Sequence, residues 1–396
     1  MKPLVSMLTV GAAALVLTGC WSNMELTDRG FVQAAAIDAA PGLGGYRLTT
    51  QVYKPGGAMK ESPTPSSQNS YIAIMTENRS LLGAVRDATN DLGRKLQLSH
   101  MRALLISDQI AKTRHIGQLL DFFTRDHEPR GDVSVIITEG SAGRYLLIPP
   151  FIESTLGQQL KEIEHKSSSY SGKSIPVTLT DLDIRSKSEV PMAIVPYFRL
   201  QKDHHRLSTA HGLAIVDFSG GMMSGYIPPP LTPYTLILMN VFAGGVVDLP
   251  CEGGGGKNSL SDSFEILKVG TKIRPVVRGD ALTIGIQVRL EGSIGELGCR
   301  KAVTREEIAA FNEQVAQFSK DRLGEALERL QKEKADVIGV GEQLSRYRPH
   351  LWQRWKPGWP KRFADADSSI QVHVKLLNTG VQSGESPFVK SESQFQ

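Results

Sequence analysis

Cysteine is scarce in this chain, with three in 396 residues at positions 20, 251 and 299. That excludes a small scaffold stapled by several disulfides. A dominant charge of either sign is also missing. Lys and Arg number 45 against 41 Asp and Glu, a net +4, and no domain-length region is basic, so nothing supports nucleic-acid binding. After Leu17 no apolar run reaches membrane-spanning length, so the body is expected to be soluble. The 40% hydrophobic and 22% charged content excludes disordered and fibrous classes and leaves room for two or three domains with cores of their own.

Recognisable catalytic constellations are absent as well. Gly253 to Asn258 (GGGGKN) looks like a phosphate loop, but the pattern needs glycine where Cys251 stands and Ser or Thr where Asn258 stands. No serine has glycine two residues to either side, as a nucleophile elbow requires. His204, His205 and His211 with Asp203 offer zinc-type ligands, yet neighbouring histidines on a strand point to opposite faces, so they read as a solvated linker. Glu162 and His165 share a helical face without further partners, and Asp181 and Asp183 read as a turn. No enzyme activity, metal or cofactor is expected.

What the chain does have begins at its amino end. Lys2 precedes an apolar run from Leu4 to Leu17, and Leu17-Thr18-Gly19-Cys20 closes it. This resembles a lipoprotein signal. A signal peptidase accepts only a small residue before the cut, and the Cys20 thiol is the group that takes a diacylglycerol thioether. Two acyl chains, at about 0.8 kcal/mol per buried methylene, would anchor the body stably. Residues 1–19 then form the leader. Two other readings stay open: an uncleaved transmembrane anchor, since no charge falls between Lys2 and Glu25, and a soluble signal peptide with a coincidental cysteine. Both the lipid-anchored and the membrane-anchored reading put the body outside the cytoplasm, at a membrane surface.

The expected fold class is α+β and multidomain. Residues 20–200 form an N-terminal α/β half, divisible into two lobes, where Tyr71–Met75, Met101–Ile106 and Val133–Thr138 read as strands alternating with helices. Such βαβ-type units imply a largely parallel sheet. Ser80 caps one of these helices. Residues 205–380 form the second half, read as antiparallel strands at 211–218, 222–227, 234–242, 264–269, 272–277 and 281–290 packed against one long helix. Thr304-Arg-Glu-Glu307 is a capping box opening that helix, and Ile370–Leu377 reads as a final strand. Residues 381–396 read as a loose tail.

Two features carry open alternatives. Cys251 and Cys299 are the only pair left once Cys20 is used. They form either a disulfide or two separate thiols. The stretch from Arg346 to Arg362 holds six cations, no acid, and Trp352, Trp355 and Trp359. Its tryptophans either pack onto the long helix while the charges stay solvated, or the stretch, with Arg354 and Lys356, meets a partner subunit or anionic headgroups.

Several segments, taken in order, resemble the Ger(x)C family, the C-subunit lipoproteins of spore germinant receptors. They are Gly19-Cys20-Trp21, Glu25-Leu26, Ser99-His100, the Asp121/Arg125/Glu128/Arg130 series, His211 to Val216 (HGLAIV), Met223 to Tyr226 (MSGY), Lys272 to Pro275 (KIRP), and Ala335 to Gly341 (ADVIGVG), with Trp352 and Gly380 beyond. The Cys251 to Gly256 insertion departs from that pattern. The resemblance implies a non-enzymatic subunit, tethered through Cys20 on the outer face of the spore inner membrane. There it would assemble with A-type and B-type membrane subunits into a nutrient receptor. A lipid-anchored solute-binding protein is the alternative, and a cell-wall hydrolase finds no converging carboxylates or ligands.

Overall fold

A computed structural model describes residues 25–42, 44–54, 70–200, 207–208, 211–251, 261–298 and 304–378. The first sheet begins with β1 (Arg29–Ala39), β2 (Tyr46–Tyr53) and β3 (Tyr71–Asn78). Then come α1 (Leu81–Leu92), β4 (Lys95–Gln97), β5 (Ala103–Ser107), α2 (Asp108–Thr113), α3 (Ile116–Arg125) and β6 (Ser134–Thr138). Helices α4 (Leu156–Lys166) and α5 (Leu179–Ser186) lead into β7 (Met192–Leu200), β8 (Leu207–Ser208), β9 (Leu213–Asp217) and β10 (Met222–Ile227). The remainder holds α6 (Thr232–Leu238), β11 (Gly245–Pro250), β12 (Ser261–Arg278), β13 (Ala281–Glu296) and the long α7 (Arg305–Lys332). Three short helices follow, α8 (Val340–Tyr347), α9 (Pro349–Trp355) and α10 (Trp359–Ala364), before β14 (Asp367–Asn378).

The strands at the centre of the first sheet carry near-continuous apolar runs (ALLIS in β5, SVIIT in β6), and both are buried on both faces. That is what parallel strands covered on two sides need. The order is β10-β9-β7-β6-β5-β1-β2-β3, with β1, β5, β6 and β7 parallel to one another and antiparallel strands on both flanks. Val32, Ala35 and Ile37 of β1 face one core with α1, α3 and α5. Ala34 and Ala36 face a smaller core closed by Leu156 and Leu160 of α4. Ser80 caps α1 as expected, its side chain accepting from the Gly83 amide.

The second sheet has the order β11-β12-β13-β14. Its inner face (Phe264, Ile266, Leu282, Ile284, Ile286, Val288, Leu290) lies in one core with Phe311, Val315, Leu323, Leu327 and Leu330 of α7. The Thr304/Glu307 capping box is formed in both directions.

Four expectations change. Residues 234–242 are no strand: 232–238 form α6, opened by Pro233 in its first turn and buried on nearly every side, so no periodicity distinguishes it from a buried strand. The stretches 264–269 and 272–277 belong to one 18-residue strand. The second sheet is mixed, since β14 runs parallel to β13. The strands at 213–217 and 222–227 complete the first sheet, β9 pairing with β7 from Met192↔Asp217 to Pro196↔Leu213.

Candidate functional site at the seam between the two sheets

The segment Ala335 to Gly341 turns the chain from α7 into α8, and Asp336 organises it. Its fully buried carboxylate accepts from the amides of Val340 (3.0 Å) and Gly341 (2.6 Å) and from the Trp359 indole Nε1 (3.0 Å). Burial still pushes its acidity down, the carboxyl pKa lying above its ordinary value. Gly341 is glycine for want of room: a Cβ would lie 2.5 Å from Val190 and 2.9 Å from both Trp352 and Trp359.

The three tryptophans of this arm are 3%, 2% and 3% exposed at 352, 355 and 359. Trp352 and Trp359 meet edge to face at 5.1 Å, and the Arg362 guanidinium lies 4.2 Å over the Trp355 ring. Trp352 donates to Glu189 at 2.9 Å and Lys356 pairs with the same carboxylate at 2.7 Å. Those two bonds, Lys356 first, hold Glu189 below the usual carboxylate range. Glu342 accepts from the Val190 amide at 3.1 Å. Trp352 therefore ties the arm to the segment that leads into β7, while Arg346, Arg348, Arg354, Lys356 and Lys361 face solvent.

Beside this seam opens a cleft of about 550 Å³ between Lys112, Tyr197, His211 and Tyr226 on one wall and Arg329 and Glu333 of α7 on the other. Its charges are matched in place. Arg199 pairs with Glu139 at 2.8 Å, Arg329 with Glu333 at 2.8 Å, and Lys112 with Asp108 at 2.6 Å. Arg329 Nε also donates to the Tyr226 carbonyl at 3.0 Å, and the Tyr226 hydroxyl donates to the His211 carbonyl. Burial, then the nearby Arg199, keeps the His211 imidazole below its ordinary pKa. A charged solute entering here would have to break pairs already made.

Among the described residues, no group of three or more His, Cys, Asp or Glu side chains is placed to hold a metal. Glu162 bonds to Gln158 on its own helix, and Asp181 closes a capping box with Thr178 at the start of α5, where a turn was expected. Thr178, three residues before Asp181, was the legible signal for that helix start. Glu164 is fully buried, accepts from the Val177 amide, and is pushed up to about 8 by burial. Cys251 is disulfide-bonded. Cys20, Cys299, His204, His205 and the apparent phosphate loop lie outside the described residues.

Two surfaces escaped the sequence reading. The outer face of the second sheet presents Lys268, Lys272, Arg274, Arg278, Arg289 and Lys375, all exposed. The even spacing of the β12 cations, which puts them all on one face of the strand, was its signal. The other is an apolar loop, with Leu147 66%, Phe151 59% and Ile152 92% exposed. No helix among the described residues is long and apolar enough to cross a membrane.

Comparison with known proteins accounts for most of the chain. Residues 22–200 match the spore germination protein N-terminal domain, and residues 211–380 the spore germination B3/GerAC-like C-terminal domain. Spore germination protein YndF of Bacillus subtilis is 26% identical, with 96% of this chain and 97% of that protein covered. Spore germination protein KC of the same organism is 20% identical over 93% and 94%. In three dimensions the fold is similar to the GerBC crystal structure, with a TM-score of 0.54, 18% identity, and coverage of 87% of this chain and 97% of that one. The chain belongs to the GerAC-like family of spore germination proteins.

Proposed function

We propose that this protein is the lipid-anchored, non-enzymatic C subunit of a spore nutrient germinant receptor. In this reading it stands on the outer face of the spore inner membrane and assembles with A-type and B-type membrane subunits. The observation that carries the reading is Gly19-Cys20 closing an uncharged apolar run, on a chain matched through both family domains. Anchoring confines the body to the membrane plane and raises its effective concentration beside membrane-embedded partners. The self-paired charges of the cleft favour assembly over solute capture.

Copurification from detergent-solubilised spore membranes tests the assignment. Recovery of two membrane subunits with the chain is expected, whereas a lone protein carrying a metabolite would favour a solute-binding role. Mass spectrometry of the native amino terminus should find Cys20 first and diacylated; an unmodified, uncleaved leader overturns the anchor.

We further assign Cys299 as the disulfide partner of Cys251, which non-reducing peptide mapping should recover as one cross-linked species. For the arm, charge reversal at Arg354 and Lys356 tests contact with a partner or with headgroups. Unchanged copurification and liposome binding, with normal folding, would leave these cations solvated and the tryptophans structural.

A further inference from the structure

The exposed apolar loop at 147–152 is built for a non-aqueous neighbour. Along Leu147-Ile-Pro-Pro-Phe-Ile152 every backbone donor is either absent or already bonded. Leu147 and Ile148 donate to the carbonyls of Arg144 and Tyr145. Pro149 and Pro150 have no N–H. Phe151 and Ile152 both donate to the buried Gln159 side chain. The Ile148 carbonyl accepts from the Tyr71 hydroxyl at 3.4 Å. With its N–H groups bonded or absent, the loop can enter an apolar phase without stranding a donor, each of which would cost several kcal/mol there.

The loop also lies at the end of the sheet from which the anchor leads. Upstream, the amides of Ala142 and Gly143 bond Asp38, near the carboxyl end of β1. Six residues on, Ile148 meets Tyr71, which is level with the opposite end of β1, through Tyr71↔Tyr53 and Ile72↔Val52↔Val32. The segment thus descends along β1 toward its start. Helix α4 then begins directly on that strand, where a Cβ on Gly157 would lie 2.2 Å from the Gln33 carbonyl. Glu25 opens the described chain just before β1, with Leu26 beside it 73% exposed. Cys20 precedes Glu25 by five residues, which span at most roughly 18 Å.

We propose that Leu147, Phe151 and Ile152 dip into the interfacial region of the bilayer that holds the lipid on Cys20, giving the body a second contact that fixes its orientation. Exposed Arg144, one turn before Ile148, is placed to reach headgroup phosphates while the apolar tip enters the acyl boundary. The inference deepens the proposed function and rests on its lipid anchor.

The test uses the lipidated full chain in phosphatidylcholine–phosphatidylglycerol vesicles. Ile152→Cys carries a thiol-reactive, environment-sensitive dye, the unsubstituted chain serves as the labelling blank, and Arg79→Cys (exposed, next to Asn78, which pairs through Tyr46 with Ala39 at the far end of β1) is the aqueous control. Dye at 152 should shift to the blue and lose most of its emission to acyl-chain-brominated lipids, while dye at 79 does neither. Phe151→Glu in the same chain should return the dye at 152 to its aqueous spectrum. An aqueous spectrum at 152 on vesicle-bound protein overturns the inference and leaves the anchor standing. Failure of the lipidated chain to cofractionate with vesicles overturns both. A spectrum that turns apolar only when membrane subunits are added assigns the loop to a protein partner instead.

Discussion

Glu164 is the residue whose environment most changes its chemistry. Its carboxyl accepts from the Val177 amide and lies beside the Ser134 hydroxyl, with Lys161 and Asp181 as the nearby charges. Between its unfolded value near 4.5 and its folded value of about 8, the folded protein holds a proton that the unfolded chain has released. Its contribution is fully present below pH 4.5 and is lost as pH rises through about 8. Glu164→Gln should flatten that decline, by on the order of a few kcal/mol between about pH 5 and pH 8. Urea unfolding at both pH values measures it, and parallel slopes for parent and variant would refute the assignment. At the seam, Trp359→Ala removes a buried indole and the donor to Asp336, and should cost about 3–5 kcal/mol. Gly341→Ala should destabilise too, because neither Val190 nor the two indoles have space to yield. Thermal melts compare the two.

At the scale of elements, α7 was the most legible part of the chain because three signals agreed: the capping box, the apolar stripe and the length. Thr304→Ala should cost about 1 kcal/mol by opening that box, read as a small fall in thermal midpoint. The central strands were legible through their continuous apolar runs. Helix α6 was not, since burial on all sides erases the 3.6-residue period, and only Pro233 marked its start. The arm at 346–362 was legible in composition but not in orientation: a tryptophan beside cations reads alike whether its ring faces lipid or a core. Its burial depends on Val190 and Glu189, more than 150 residues away in sequence, which no local pattern reports. The loop at 147–152 was silent for the opposite reason, as a short apolar run is the usual mark of a buried segment.

Across the whole molecule, the two sheets are not separate bodies. Ala214 and Val216 of β9 enter the first-sheet core, while Leu213 and Ile215 enter the core of α7 and the second sheet. Ile194 of β7 joins the second core and Val195 the first. One layer of strands therefore has each side committed to a different core. Unfolding should be a single calorimetric transition, and two resolved transitions would contradict it. A fragment ending at residue 200 should not fold, because it lacks β9 and β10 and uncovers one side of β7; a cooperative melt of that fragment would refute the shared layer.

That interlock constrains how such subunits can be recombined. The polar stretch near residue 205 looks like a natural place to splice one relative's front to another's back, yet it falls between β7 and β9, which pair with each other in one sheet. A hybrid joined there would set foreign strands edge to edge inside a buried ladder. A junction after Ile227 would carry each strand along with the sheet it completes, and leave the core shared by Ile194, Leu213 and Ile215 with α7, together with the cleft and the arm, to be matched between parents.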